Sequence, residues 1–406
     1  MREASKALGN LRGVLILLIL AFHSVSAYIV SQPAHAVPFD QAPYDWRAFP
    51  IVDGDRWLGF DLFCAFQFLY LMQLMFFLSG LFVWPSLQRK DAFGFLRRRI
   101  VRLGVPFLLG VYLLMPIAYD AVYRASAVDP SWSAFWAHWR ALPITPTGPM
   151  WFLWFLIALN LVAALVFWLL PNASRTLAPV MAKAAAYPGR FFVFVGAVTA
   201  LAYLPLSAIY SPWYWAGWGP FEVQAAFAPQ YAIYFLLGVA VGAYGYDRGL
   251  LDPHGGLVRR WPVWGAACLL SFFLWIIPTA LIVKGLGESI PGLSIIGDLG
   301  LVLFAAAACF AMLAIFLRFA AKRWPIIEPI SDNAYGIYFY HYAFVLWLQF
   351  ALLGVAMPAV GKGMLVFIGT VVLSWAASIV TSRIVAGARP LLRRGAVLLA
   401  MLGGRA

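Results

Sequence analysis

The sequence predicts an all-α, polytopic integral membrane protein with about ten transmembrane helices and both termini in the cytoplasm. Composition comes first: of 406 residues, 64% are hydrophobic and only 11% charged, against about 45–50% and 25% in soluble domains. Apolar stretches of about 20 residues, each able to cross a ~30 Å hydrocarbon layer as a helix, recur along the whole chain. The ~10-residue alternating strands of a membrane barrel are absent. The third observation is that basic residues crowd into alternate connections, as the positive-inside rule requires. This composition excludes a soluble enzyme and a disordered chain.

The spans follow in order, each bounded by the charges beside it. Span 11–31 begins among Arg2, Lys6 and Arg12, and its outer connection holds only Arg47 and Arg56. Spans 58–84 and 100–119 flank Arg89, Lys90, Arg97, Arg98, Arg99 and Arg102, and the next outer connection has Arg124 and Arg140. Spans 150–170 and 190–209 enclose Arg175, Lys183 and Arg190. Spans 229–246 and 262–283 enclose Arg248, Arg259 and Arg260, with Lys284 beyond. Spans 297–317 and 334–354 enclose Arg318, Lys322 and Arg323, with Lys362 beyond. Span 363–386 ends at Arg383, Arg389, Arg393, Arg394 and Arg405. All but six of the 29 basic residues thus fall inside. That sorting accounts for the net charge of +13 without a nucleic-acid partner. The lipid bilayer is the partner the charge serves.

Ala34-His35-Ala36 has the small-residue character of a cleavage site, but the apolar run Gly13–Phe22 ends well before it, so the first span is read as a retained helix. Cys64, Cys268 and Cys309 lie singly in apolar spans without CxxC spacing, which predicts neither a disulfide framework nor a metal site. The outer segments 32–57 and 120–149, rich in Pro, Trp and Asp, are expected to be packed. A single membrane domain filling residues 1–406 is expected.

Polar side chains inside a membrane are costly and mark function by default. His23 stands eleven residues after Arg12. Eleven steps of 100° return to within 20° of the same helix face, about 16 Å further along the axis. A cation at the cytoplasmic mouth therefore lies under an imidazole in the first span, which either makes an interhelical hydrogen bond or serves as a general base. Arg99 and Arg102 share a face at the start of the third span, with Arg98 beside them. They serve as a topology anchor or as bidentate ligands for phosphate. Tyr338 and His341, three apart after Ser331-Asp332-Asn333, set a second histidine among hydroxyls. Ser79-Gly80 suits close helix approach or ligand passage. In the outer segments Trp46, Asp55, Asp61 and Glu222 offer stacking faces and carboxylates for a sugar, alongside the interfacial role of Trp.

Together these motifs resemble the membrane acyltransferase 3 family. Arg12-x10-His23 is similar to its first-helix pattern, Phe76-Phe77-Leu78-Ser79-Gly80 to its second, and Arg99-x-x-Arg102 to its third. Tyr335-Gly336-Ile337-Tyr338 with His341 resembles its late tyrosine–histidine helix. The likeness runs from about residue 8 to 380. Within the family, Arg98–Pro106, Trp151–Leu156 and Tyr234–Gly238 resemble the glucan biosynthesis protein C group, which succinylates periplasmic glucans. One departure stands out: members often carry a histidine just before the Trp-Phe-Leu run, where this chain has Pro149-Met150. His138 is the candidate to replace it.

The resemblance implies an O-acyltransferase of the bacterial inner membrane that uses cytosolic acyl-CoA, acetyl or succinyl, without a metal. The donor would rest on Arg12, Arg98, Arg99 and Arg102 with Ser79 nearby. His23, with His341 and Tyr338, would carry transfer to a hydroxyl of an outer glycan or oligosaccharide held by Trp46, Asp55, Asp61 and Glu222. The first span holds no second cation for a succinyl carboxylate, so acetyl and succinyl both stand. A homo-oligomer is left open. The alternative is a proton-coupled secondary transporter in which His23 and His341 relay protons.

Overall fold

The computed structural model describes residues 3–387 apart from 246 and 288, and gives only helical backbone for residue 90 and for 388–402. Arg2, Lys90, Arg389, Arg393, Arg394 and Arg405 of the basic pattern lie outside the described side chains. Ten helices occupy the predicted spans: α1 Glu3–Tyr28, α2 Leu58–Arg89, α3 Ala92–Ser126, α5 Gly148–Leu169 and α7 Pro188–Ser207; then α8 Ala228–Tyr244, α9 Trp261–Leu286 and α10 Leu293–Phe319; and α12 Ala334–Ala351 and α13 Ala359–Gly387. Among the described residues, eight of these are long and apolar enough to cross a membrane. The other two are α8, at 17 residues, and α12, whose apolar run is interrupted by four tyrosines, His341 and Gln349. The chain is an all-α polytopic membrane protein.

Among the described residues, besides the single turn Gly256–Arg259, three short helices lie outside the expected spans: α4 Trp132–Ala141, α6 Ala173–Ala186 and α11 Ile327–Asp332. A two-stranded antiparallel hairpin, β1 Trp215–Trp218 and β2 Phe221–Gln224, pairs Trp215 with Gln224 and Trp218 with Phe221. α1 starts eight residues before the predicted span. Its polar first turns are satisfied by the protein: Asn10 Nδ2 donates to the Ala320 and Lys322 carbonyls, both at 2.8 Å. The helix therefore continues inward, where a hydropathy window stops.

α10 is the innermost helix, 78% of its apolar window buried against 22% for α9. Small residues permit this. Ala305, Ala306, Ala307 and Ala308 are sealed in the interior, and Gly300 lets α9 lie directly on α10. The α2–α8 seam uses the same device: a Cβ on Gly80 would strike the Phe235 carbonyl, on Gly238 the Phe77 carbonyl, and on Gly242 the Leu81 carbonyl. In lipid, helices associate through such packing, because the tails around them are as apolar as they are. Gly238→Leu should therefore separate α2 from α8 at a cost of about 1–3 kcal/mol or more, measured as a lower thermal midpoint of the detergent-purified protein.

α3 shows how proline shapes a helix locally. Pro106 has no N–H to give the Arg102 carbonyl four residues back, and the helix widens into a π turn over Ile100–Gly104 in which the Val105 N–H reaches the Ile100 carbonyl. The freed Arg102 carbonyl accepts from the Tyr335 hydroxyl of α12 at 2.8 Å. Pro116 accompanies a second π turn, Gly110–Leu114. Such turns often accompany functional sites.

Candidate active site

α1 packs against α10, α11, α12 and α13, so residues on its inner face meet several helices at once. Arg12 falls near mid-helix and His23 in the last α-helical turn, ahead of the 3-10 turn Ser26–Tyr28. His23, near the middle of the span read at 11–31, thus lies towards the outer end of the helix itself, which starts at Glu3 and leaves its α-helical form after Val25. The α1 end is held by Gln349 of α12, whose Nε2 donates to the His23 and Ser24 carbonyls at 2.8 and 3.1 Å. The two histidines come together, ring centroids 5.3 Å apart, with Tyr342 packed edge-on against His23 at the same distance.

His341 is sealed from solvent. Its Nδ1 lies 2.6 Å from the Tyr338 carbonyl, a contact that requires the proton on Nδ1 and leaves Nε2 an acceptor. Nε2 has no partner among the described residues, which is rare for a buried polar atom. The Tyr338 hydroxyl donates to the Pro149 carbonyl. Pro149 thus holds Tyr338 through its backbone, and Met150 packs against Gly110. His138 sits on α4 with Nδ1 3.6 Å from Asp40 and its ring 5.4 Å from that of Tyr123. It is not among the residues around His23.

A cavity of about 140 Å³ opens at His23, bounded by Met72, Tyr119, Thr147, Trp151, Tyr338, Tyr342 and, from the outer segments, Arg47 and Trp215. Arg47 Nη2 donates to Glu222 Oε2 at 2.5 Å, and the guanidinium lies 5.5 Å from the centre of the Trp215 ring. Glu222 is held by the hairpin, where its carbonyl accepts from Trp154 Nε1 at 2.9 Å. Burial pushes the Glu222 carboxyl above its ordinary range, and Arg47 beside it pulls in the opposite direction.

At the other end of the Arg12–His23 face, Arg12 donates to the Ser331 hydroxyl and carbonyl at 3.1–3.3 Å. Arg102 lies within electrostatic reach of both Arg12 and Arg99, and Asp332 opposes Arg12. Arg99 rides over the Phe95 ring at 5.1 Å. Three cations from α1 and α3 therefore converge, exposed or half-exposed. Arg98 lies instead near Asp91 and Gly94. Ser79 is half-buried beside Gly80 in the α2–α8 seam and makes no described contact with the arginines.

Three of the four expected sugar contacts have other tasks. Trp46 is fully buried, stacked on Phe39 at 4.7 Å, with Nε1 donating to the Phe39 carbonyl, so it offers no open face. Asp61 accepts from the Val30 and Ser31 amides at 2.7 and 2.9 Å and secures the exit of α1. Asp55 pairs with Lys362 at 2.8 Å. Only Glu222 adjoins the cavity, through Arg47. Arg47, Tyr119, Thr147, Trp151 and Tyr342, which do line it, escape sequence reasoning. The one local signal is Trp46-Arg47: a buried tryptophan packed against Tyr119 fixes the next residue, and that residue is the cavity's cation.

One end of this arrangement can grip a polyanion and the other can move a proton, with one helix joining them. No curated protein and no solved structure matches the chain. The acyltransferase domain of the acyltransferase 3 family matches residues 5–379, which sets aside the transporter alternative. The chain belongs to that family and is a membrane acyltransferase.

Proposed function

We propose that the protein takes a short acyl group from acyl-CoA on the Arg12–Arg99–Arg102 face and delivers it to a glycan hydroxyl that enters the cavity beside His23. The observation that carries this reading is the alignment of Arg12 and His23 along α1. Arg12 stands among other guanidinium groups and His23 opens on a cavity. The ~16 Å between them matches a donor with phosphates at one end and a thioester on a long arm. Guanidinium groups suit phosphate because their forks bind two oxygens at once.

In the reaction, the acceptor oxygen bonds to the thioester carbonyl carbon, the C–S bond breaks, and the hydroxyl proton passes through the His23 imidazole to the departing sulfur. The His341 ring lies 5.3 Å from that of His23, and a small rotation of the imidazole would let the unpartnered His341 Nε2 accept an N–H from it, selecting the tautomer that presents a lone pair to the hydroxyl. Tyr338 and Pro149 hold His341 in turn. The positive-inside bias puts the arginine end in the cytoplasm and the cavity outside, as a bacterial inner-membrane enzyme acting on periplasmic glucan would need.

Thermal unfolding of the detergent-purified protein tests the donor site. A ligand bound only by the folded state at 100 times its dissociation constant adds about 2.7 kcal/mol. CoA should raise the midpoint, dephospho-CoA less, and Arg102→Gln should weaken CoA binding about tenfold or more, as expected for loss of a charged phosphate contact. No shift with any CoA species at millimolar concentration would overturn the reading.

A further inference from the structure

We infer that Glu222 sets acyl-chain selectivity by masking Arg47, so that the cavity accepts an uncharged short acyl chain and rejects one ending in a carboxylate. The inference rests on the acyl-CoA reading and specifies its donor. Arg47 is the one arginine or lysine among the described residues lining the cavity that His23 opens on. Taken alone, it would be the natural seat for a terminal carboxylate, since the guanidinium fork fits that group.

The fork is already engaged. Glu222 accepts from it at 2.5 Å, Trp215 lies 5.5 Å away on its face, and both partners are largely withdrawn from water, with side chains 22% and 11% exposed. An entering carboxylate would meet a neutralised cation and, behind it, a second carboxylate. Like charges brought together where water is scarce repel strongly. The remaining polar side chains around the space, the hydroxyls of Thr147, Tyr119, Tyr338 and Tyr342 and the indoles of Trp151 and Trp215, are neutral, and His23 is neutral in its role as base. A chain without charge encounters none of these costs.

Arg47 and Glu222 stand 175 residues apart, one on the 32–57 segment and one on the hairpin. The hairpin holds Glu222 independently through Trp154 and its backbone carbonyl, a contact that Glu222→Gln preserves. That substitution removes the competing negative charge and weakens the hold on the fork while keeping the side chain's shape.

The test compares butyryl-CoA with succinyl-CoA, which share a four-carbon chain and differ by the terminal carboxylate. Unacylated CoA measures the donor grip alone. Dissociation constants are taken by calorimetric titration of the full-length protein in detergent. The wild type should bind butyryl-CoA at least about tenfold more tightly than succinyl-CoA. Glu222→Gln should move that ratio about tenfold or more towards succinyl-CoA, as expected when a charged hydrogen-bonding group becomes available. The double variant Arg47→Gln/Glu222→Gln should lose the gain. CoA affinity in each variant reports that its donor site is intact, and the wild-type ratio decides even where a variant does not fold. Succinyl-CoA binding to the wild type as tightly as butyryl-CoA, with CoA also bound, would overturn the selectivity inference alone. So would a Glu222→Gln protein that binds CoA with its ratio unchanged. Absence of binding by all three would overturn the donor reading and this inference with it.

Discussion

Replacing His23 with alanine should lower acyl transfer by about 10²–10⁴-fold, the usual contribution of a positioned general base, while CoA binding stays near that of the wild type. The separation follows from α1: the imidazole lies in its last turn, about 16 Å from Arg12 along the axis, so removing it leaves the arginine cluster untouched. The His23 carbonyl, which receives Gln349, belongs to the backbone and survives the change. Steady-state transfer alongside CoA titration checks this. Transfer near the wild-type rate would remove His23 from the mechanism. His341→Gln gives a graded comparison, since an effect smaller than that of His23→Ala is expected of a residue that orients the base.

The second large effect is on stability. Lys362, at the start of α13, is 1% exposed, and its Nζ reaches both oxygens of Asp53, itself 3% exposed, at 3.0 and 2.8 Å. Asp55 adds a third contact from a half-exposed position. Lys362→Met keeps most of the chain's shape and leaves the Asp53 carboxylate buried without its cation, a loss of about 3–5 kcal/mol. The double change Lys362→Met/Asp53→Leu should recover much of it, because a buried ion pair is often replaceable by apolar groups at little net cost. Thermal midpoints of the three proteins decide between them. If Lys362→Met alone unfolds within a degree or two of the wild type, the pair contributes nothing. The same segment carries Arg47, so this pair also bears on the shape of the cavity.

The helices were legible because a 20-residue apolar run has few other fates. Their ends were less so. Asn10 looks like a terminus in a hydropathy window, yet α10 and the residues after it offer the carbonyls that let α1 continue. The helices α4 and α6 are short and amphipathic, and their signal is weak beside that of a membrane span. The arginine half of the site was readable because Arg12, Arg99 and Arg102 sit on helices whose spacing carries geometry. The cavity half was legible only in pieces: Glu222 stood out as an outer carboxylate, but its pairing with Arg47 did not, because the two are joined only by tertiary contact between distant loops. Trp46 shows the limit of composition: an outer tryptophan suggests a platform, and here it is the core of its own loop. Even in α3 the wheel misleads further on, since the π turn Ile100–Gly104 shifts the register between the two arginines and the helix that follows Gly104.

The rod between Arg12 and His23 works as a ruler. An unbroken helix cannot stretch, so under the proposed reading a donor gripped at one end would have to present its reactive carbon at one fixed reach, and arms of other lengths would be refused without any contact being made to refuse them. One alanine inserted between the two residues would turn the imidazole by 100° and lift it by about 1.5 Å. Seven would return it almost to the same bearing but more than 10 Å too far away. Direction and distance are thus specified together by the number of residues between them, and by no side chain in particular.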